Sequence, residues 1–198
     1  MSDATNPAPA AATPTTPPAA PAAPAKPAWL PPHIPFNGDW KVFVGAIYLV
    51  FTRDFKGTWP RFRTLPVWHD RRVLDDGDGK EEGFWHLVQK DQWIYNPKTR
   101  RKEKERLPEF DRAGRLPWAR PIIEHEIADG VKVWDYDDET PRGKAVRTYV
   151  WLENHDYVVI IERQKKDRGD VFMLITSFHL DFDGKRRDLQ SRYERRRK

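Results

Sequence analysis

Eleven of the eighteen prolines fall within residues 1–35, at positions 7, 9, 14, 17, 18, 21, 24, 27, 31, 32 and 35. Proline fixes φ and removes a backbone donor, so neither a regular helix nor an inner strand can cross that stretch. The residues between the prolines are largely Ala and Thr, with too little large apolar surface to offset the entropy of ordering. Residues 1–35 are therefore predicted to be a disordered, polyproline-like tether, and residues 36–198 a single folded domain. With 38% apolar and 13% aromatic residues, the chain can build a substantial core.

The chain has no cysteine, which removes disulfide scaffolds, thiolate zinc sites, iron–sulfur clusters and thiol nucleophiles from consideration. Its longest apolar run, residues 42–51 (VFVGAIYLVF), is half the roughly 20 residues a membrane-spanning helix needs. The N-terminus lacks a basic segment followed by an apolar one, so a cytoplasmic protein that makes no use of a membrane is expected.

The net charge of +5 is unevenly placed. Residues 184–198 carry eight basic side chains against two acidic ones, and residues 98–106 (KTRRKEKER) six against two; residues 75–82 (DDGDGKEE) are the most acidic part. Concentrated positive charge is the footprint of a phosphate-rich partner. A solvated basic helix without a partner accounts for the charge equally well.

Asp39 precedes a run to residue 55 whose apolar positions cover two helical faces, which predicts a central helix. Residues 67–74 and 83–90 read as a long-looped hairpin of two strands, and residues 109–116 and 119–127 as one kinked helix or two short ones. Four strand patterns follow at 131–137, 145–153, 157–164 and 170–181, with connections short enough for an antiparallel meander. Residues 185–198 form a closing basic helix, with Leu189 and Tyr193 spaced to dock it. Helices first and strands later predict an α+β fold.

His86, on the presumed strand GFWHLV, is the candidate general base or acid; a half-buried imidazole with a backbone partner is the plainer reading. Thr176 and His179 stand near the end of the last strand, where ordinary strand filling is the alternative. Arg112, Arg115 and Arg120 lie in DRAGRLPWARPII, the first two on one helical face where guanidinium forks suit a phosphate. Surface pairing with Glu109, Asp111 or Glu124 is the competing account. The histidines lack metal-site spacing, and no dinucleotide, Walker or nucleophile-elbow motif occurs, so neither a metal nor another cofactor is expected. Nine tryptophans offer stacking surface for unpaired bases, although most are expected in the core.

Taken together, GKEEGFWHLVQK, RAGRLPWARPIIE, RTYVWLE, YVVIIERQ and VFMLITSFHLD followed by KRRDLQSRYERR resemble the phage-associated branch of the ribonuclease superfamily that groups barnase, EndoU, the colicin tRNases and RelE-type toxins. The resemblance implies N-terminal helices and a hairpin packed on a four-stranded antiparallel sheet, with RNA across its exposed face. It also implies metal-independent cleavage by attack of the ribose 2′-hydroxyl on its own phosphate, leaving a 2′,3′-cyclic end. In that scheme His86 acts as base or acid, Arg112 and Arg115 clamp the phosphate, and Thr176 with His179 serves the leaving side. Arg120, Lys185, Arg186, Arg195, Arg196 and Arg197 are the expected contacts to RNA backbone. The implied partners are RNA, including tRNA or ribosome-bound RNA, and an inhibitor or immunity protein. A non-catalytic RNA-binding or protein-interaction module, including a virion component tethered by its tail, is the alternative.

Overall fold

The computed structural model describes residues 25–73, 78–141 and 143–198; the predicted tether up to residue 24 and residues 75–77 of the acidic turn lie outside the described residues. Helix α1 (Trp40–Phe51) starts where Asp39 predicts, the carboxylate accepting from the Val42 N–H at 3.0 Å. It buries Phe43, Val44, Ile47 and Phe51, then continues as one π-helical turn, Thr52–Gly57, that buries Phe55. The expectation of a helix covered on two faces is corrected to one, because Val42 and Leu49 stay exposed.

Six strands form one sheet in the order β1-β2-β8-β7-β6-β5. These are β1 (Arg61–Phe62), β2 (Leu65–Trp68), β5 (Val131–Thr140), β6 (Gly143–Leu152), β7 (Tyr157–Lys166) and β8 (Gly169–His179). The last four make the antiparallel meander that their short connections predict. The four-stranded antiparallel sheet is nevertheless overturned: β2 pairs in parallel with β8, Val67 opposite Phe172, and β1 extends the sheet beyond it. Without β2 that edge of β8 would present unpaired N–H and C=O groups, so the added strands close it. The α+β class itself fits.

The predicted hairpin is corrected as well. Residues 83–88 are not a strand but lie in helix α2 (Glu82–Val88), in which Phe84, Trp85, Leu87 and Val88 are all buried while His86 is exposed. A strand alternates, so it could not bury 84 and 88 and expose 86 between them. The hairpin occurs one element later, where β3 (Gln89–Asn96) pairs antiparallel with β4 (Arg101–Pro108) in a separate two-stranded ribbon. After it come α3 (Phe110–Gly114), a 3₁₀ turn (Leu116–Trp118) and α4 (Ala119–Glu124), the broken helix that Pro117 and Pro121 predict.

Both faces of the sheet carry a core. The helices before β5 cover one face, joining Phe43, Phe51, Phe84, Ile122, Tyr157 and Phe172. Helix α5 (Asp183–Glu194) covers part of the other through Leu189 and Tyr193, which pack with Trp134, Tyr149 and Ile160. The face expected to be open to RNA is therefore partly occupied. Among the described residues no helix is long and apolar enough to cross a membrane.

Residues 29–34, expected to belong to the tether, lie against the domain: Leu30 is 2% exposed, and the Trp118 indole donates to the Pro31 carbonyl at 2.8 Å. The Ile34 N–H donates to the Gly114 carbonyl at 2.8 Å, and a Cβ on Gly114 would collide with the Ile34 carbonyl oxygen. Gly114→Ala is accordingly expected to push this segment off α3 and cost about 1–3 kcal/mol, read as a lower urea midpoint. An unchanged midpoint would show that the docked segment contributes no stability.

Candidate active site

The ribbon is stitched into the domain at its base. Helix α2 runs directly into β3 at Gln89, β4 ends at Pro108, and the Glu109 N–H donates to the Val88 carbonyl at 3.1 Å. This junction gathers His86 from α2, Arg106 from β4 and Arg112 from α3 around one point on β8. That point is Thr176. Ile160 pairs with Thr176 while Ile161 pairs with Leu174, so Ile175 is the extra residue of a bulge that re-aims the strand beside the site.

Arg112 joins the elements. Its Nη2 donates to the His86 carbonyl and to the Thr176 hydroxyl, which itself lies 3.4 Å from the same carbonyl. The residue is 8% exposed, and its Nε–H is buried without a partner. Burial pulls the Arg112 pKa down, with the Glu109 carboxylate at 4.0 Å opposing it. Arg115 and Arg147 also bury an Nε–H without a hydrogen-bond partner, so what sets Arg112 apart is that it ties α2 to β8.

The His86 ring is half-exposed, with Nε2 3.2 Å from Glu82 Oε1 one helical turn earlier. Glu82 is buried and gripped on both oxygens by Arg106, which holds the carboxyl below its ordinary range. Since a carboxylate only accepts, a proton on Nε2 is favoured and Nδ1 is left basic. Burial lowers the His86 pKa and Glu82 opposes the shift, so the ring is predominantly neutral at pH 7. The cleft at this junction, ≈ 270 Å³, is lined by Lys90, Arg106 and Arg112 against Asp91, with His86 and Thr176 at its wall.

Of the residues read from sequence, His86, Arg112 and Thr176 converge here. Arg115 and His179 do not line this cleft. Arg115 holds Asp111 at 3.4 Å and lies over the Trp118 ring, and it lowers the His179 pKa in second place after burial. Three residues of strand, about 10 Å, separate His179 from Thr176 along β8. Between the two groups Tyr157 is fully buried, its hydroxyl donating to Ser177 at 2.9 Å and its pKa pushed up to about 12 by burial. Arg120 has a structural occupation, binding Glu124, the Thr58 hydroxyl and the Asp54 carbonyl.

The C-terminal cations lie on the sheet face that Thr176 shares with its strand partner Ile160, beside Phe178 and Leu180. A larger cleft there, ≈ 500 Å³, includes Lys185, Arg192 and Arg195. Two of these charges are matched, Lys185 by Asp181 and Arg192 by Asp138 and Asp188, while Arg195 lies over the Tyr136 ring. Arg186 binds Asp156, Arg197 reaches Asp137 at 3.6 Å, and Arg196 lies over the Tyr193 ring. Size therefore points away from the chemistry, and the convergence of His86, Arg112 and Thr176 points toward the smaller cleft.

Glu82, Lys90, Asp91, Arg106 and Tyr157 were not legible as site residues. Glu82 carried a signal, since it stands four before His86, but the spacing has meaning only on a helix. Among the described residues no group of three or more His, Asp or Glu side chains is placed to hold a metal ion. Comparison with protein-family models, with curated proteins and with solved structures finds no match to this chain.

Proposed function

We propose that the chain is an endoribonuclease that uses its own side chains, without a metal, to drive attack of a ribose 2′-hydroxyl on the adjacent phosphate. The observation that carries this reading is Arg112, a buried guanidinium tied to Thr176 and to the backbone of His86 in a cleft lined by three cations. Neutral His86 takes the 2′-hydroxyl proton, and the 2′-oxygen forms its bond to phosphorus. Arg112, Arg106 and Lys90 stabilise the charge that collects on the phosphorane oxygens. The bond to the 5′-oxygen then breaks, that oxygen leaves with a proton from the Lys90 ammonium, and the other product keeps a 2′,3′-cyclic phosphate.

The motif resemblance supports the same class, and with it a toxin-like, phage-associated enzyme of the cytoplasm restrained by an inhibitor protein. The expected result is cleavage of RNA by purified protein in EDTA, with cyclic phosphate ends seen by mass spectrometry and DNA spared. RNA that is bound but left intact, both free and on ribosomes, would overturn the enzyme reading in favour of a binding module.

A further inference from the structure

The ribbon formed by β3 and β4 contains the basic run 98–106, whose purpose the cleft explains only at Arg106. Strands alternate their side chains, so Lys102 and Arg106 fall on one face of the extended run, and Arg101, Glu103 and Glu105 on the other. The register sets Tyr95 opposite 102, Trp93 opposite 104 and Asp91 opposite 106. The basic face is thus also the aromatic one. Trp93 is 69% exposed and Tyr95 58% exposed, whereas Glu103 on the back is engaged by Asn96 and Thr99.

Arg106 and Asp91 at the foot of this face line the cleft, so the aromatic surface leads away from it without a break. Lys98 and Arg100 at the tip are exposed. We propose that this face is a platform for single-stranded RNA, with bases stacked on Trp93 and Tyr95 and phosphates met by Lys102, Lys98 and Arg100. The choice of RNA rests on the ribonuclease reading. Stacking on an exposed aromatic ring needs an unpaired base, which selects single strands over duplexes. Basic side chains beside exposed aromatic rings favour a polyanion over a protein surface of mixed charge.

The test is fluorescence anisotropy with a short labelled 2′-O-methyl oligoribonucleotide, which cannot be cut because its 2′-oxygens are blocked, set beside a cleavage assay on unmodified RNA. The double variant Trp93→Ala/Tyr95→Ala should bind the probe about 100-fold more weakly, near tenfold for each lost stack. Trp93→Phe/Tyr95→Phe should retain most of the affinity. Lys102→Gln should reduce the salt slope by about 0.7 for its one phosphate. Circular dichroism and melting should not change, because both aromatic side chains already lie in solvent. Undiminished binding by the Ala variant would overturn the platform and leave its face to a protein partner; equal affinity for a matching RNA or DNA duplex would overturn the single-strand assignment. Probe binding that depends on Trp93 and Tyr95 in a protein that cuts nothing would sink the ribonuclease reading alone. Cleavage with no dependence of binding on these rings would sink this one alone.

Discussion

His86→Gln is expected to slow RNA cleavage by about 10²- to 10⁴-fold, the range a positioned general base contributes, while leaving RNA affinity and fold intact. Fold should survive because His86 is the one exposed side chain of an otherwise buried helix segment, its carbonyl keeps its contacts with Arg112 and Thr176, and the Gln amide can still donate to Glu82 in place of Nε2. The acid side of the pH profile tests the same group. The neutral ring is the active form, and burial sets its pKa below the ordinary 6.5. From neutral pH downward the wild-type rate should therefore hold level past 6.5 and fall only at lower pH, as the ring takes up its proton. Initial rates on a labelled RNA would show it. An acid limb centred above 6.5, or the same limb persisting in His86→Gln, would remove His86 from the role of base.

What could be read in advance divides along a physical line. The meander β5 to β8 was legible because each strand declares itself by β-branched and aromatic residues and each connection is short. The docking of α5 followed from two apolar residues four apart, Leu189 and Tyr193. Both are local signals. The parallel pairing of β2 with β8 joins residues 67 and 172, a contact between distant segments that no local pattern announces.

The site was half legible for a related reason. His86, Arg112 and Thr176 are recognisable by residue type, yet the secondary structure under His86 was misread: GFWHLV is rich in aromatic and β-branched residues and short enough to pass for a strand. Burial on nearly every side of α2 removes the periodicity that would have revealed a helix. Reading it as a strand hid the Glu82–His86 pair, and leaving 98–106 as a charged run hid the ribbon that delivers Arg106. The tertiary fold resolved both, because the ribbon's two ends are held together by α2 and α3.

Arg112→Met should lower cleavage by about 10²- to 10³-fold, the loss expected when a preorganised donor to developing charge is removed, while changing stability far less. The two effects part because burial works against the guanidinium: it depresses the Arg112 pKa, so the folded protein holds this cation at a cost. Methionine has similar length and no charge to desolvate, which removes that cost. It also takes a donor from the His86 carbonyl and from Thr176, a loss of about 1–3 kcal/mol if nothing replaced it. The Thr176 hydroxyl, 3.4 Å from that carbonyl, remains to donate. Glu109, left without its partner at 4.0 Å, keeps contact with water. The net change in stability is therefore expected to stay below about 2 kcal/mol. Arg112→Lys restores the charge but not the fork that reaches two acceptors and a phosphate together, so it should recover little activity. Single-turnover cleavage and a urea titration on the same preparations decide the matter: a Met variant that cleaves within a few-fold of wild type would reduce Arg112 to a structural brace between α3 and β8.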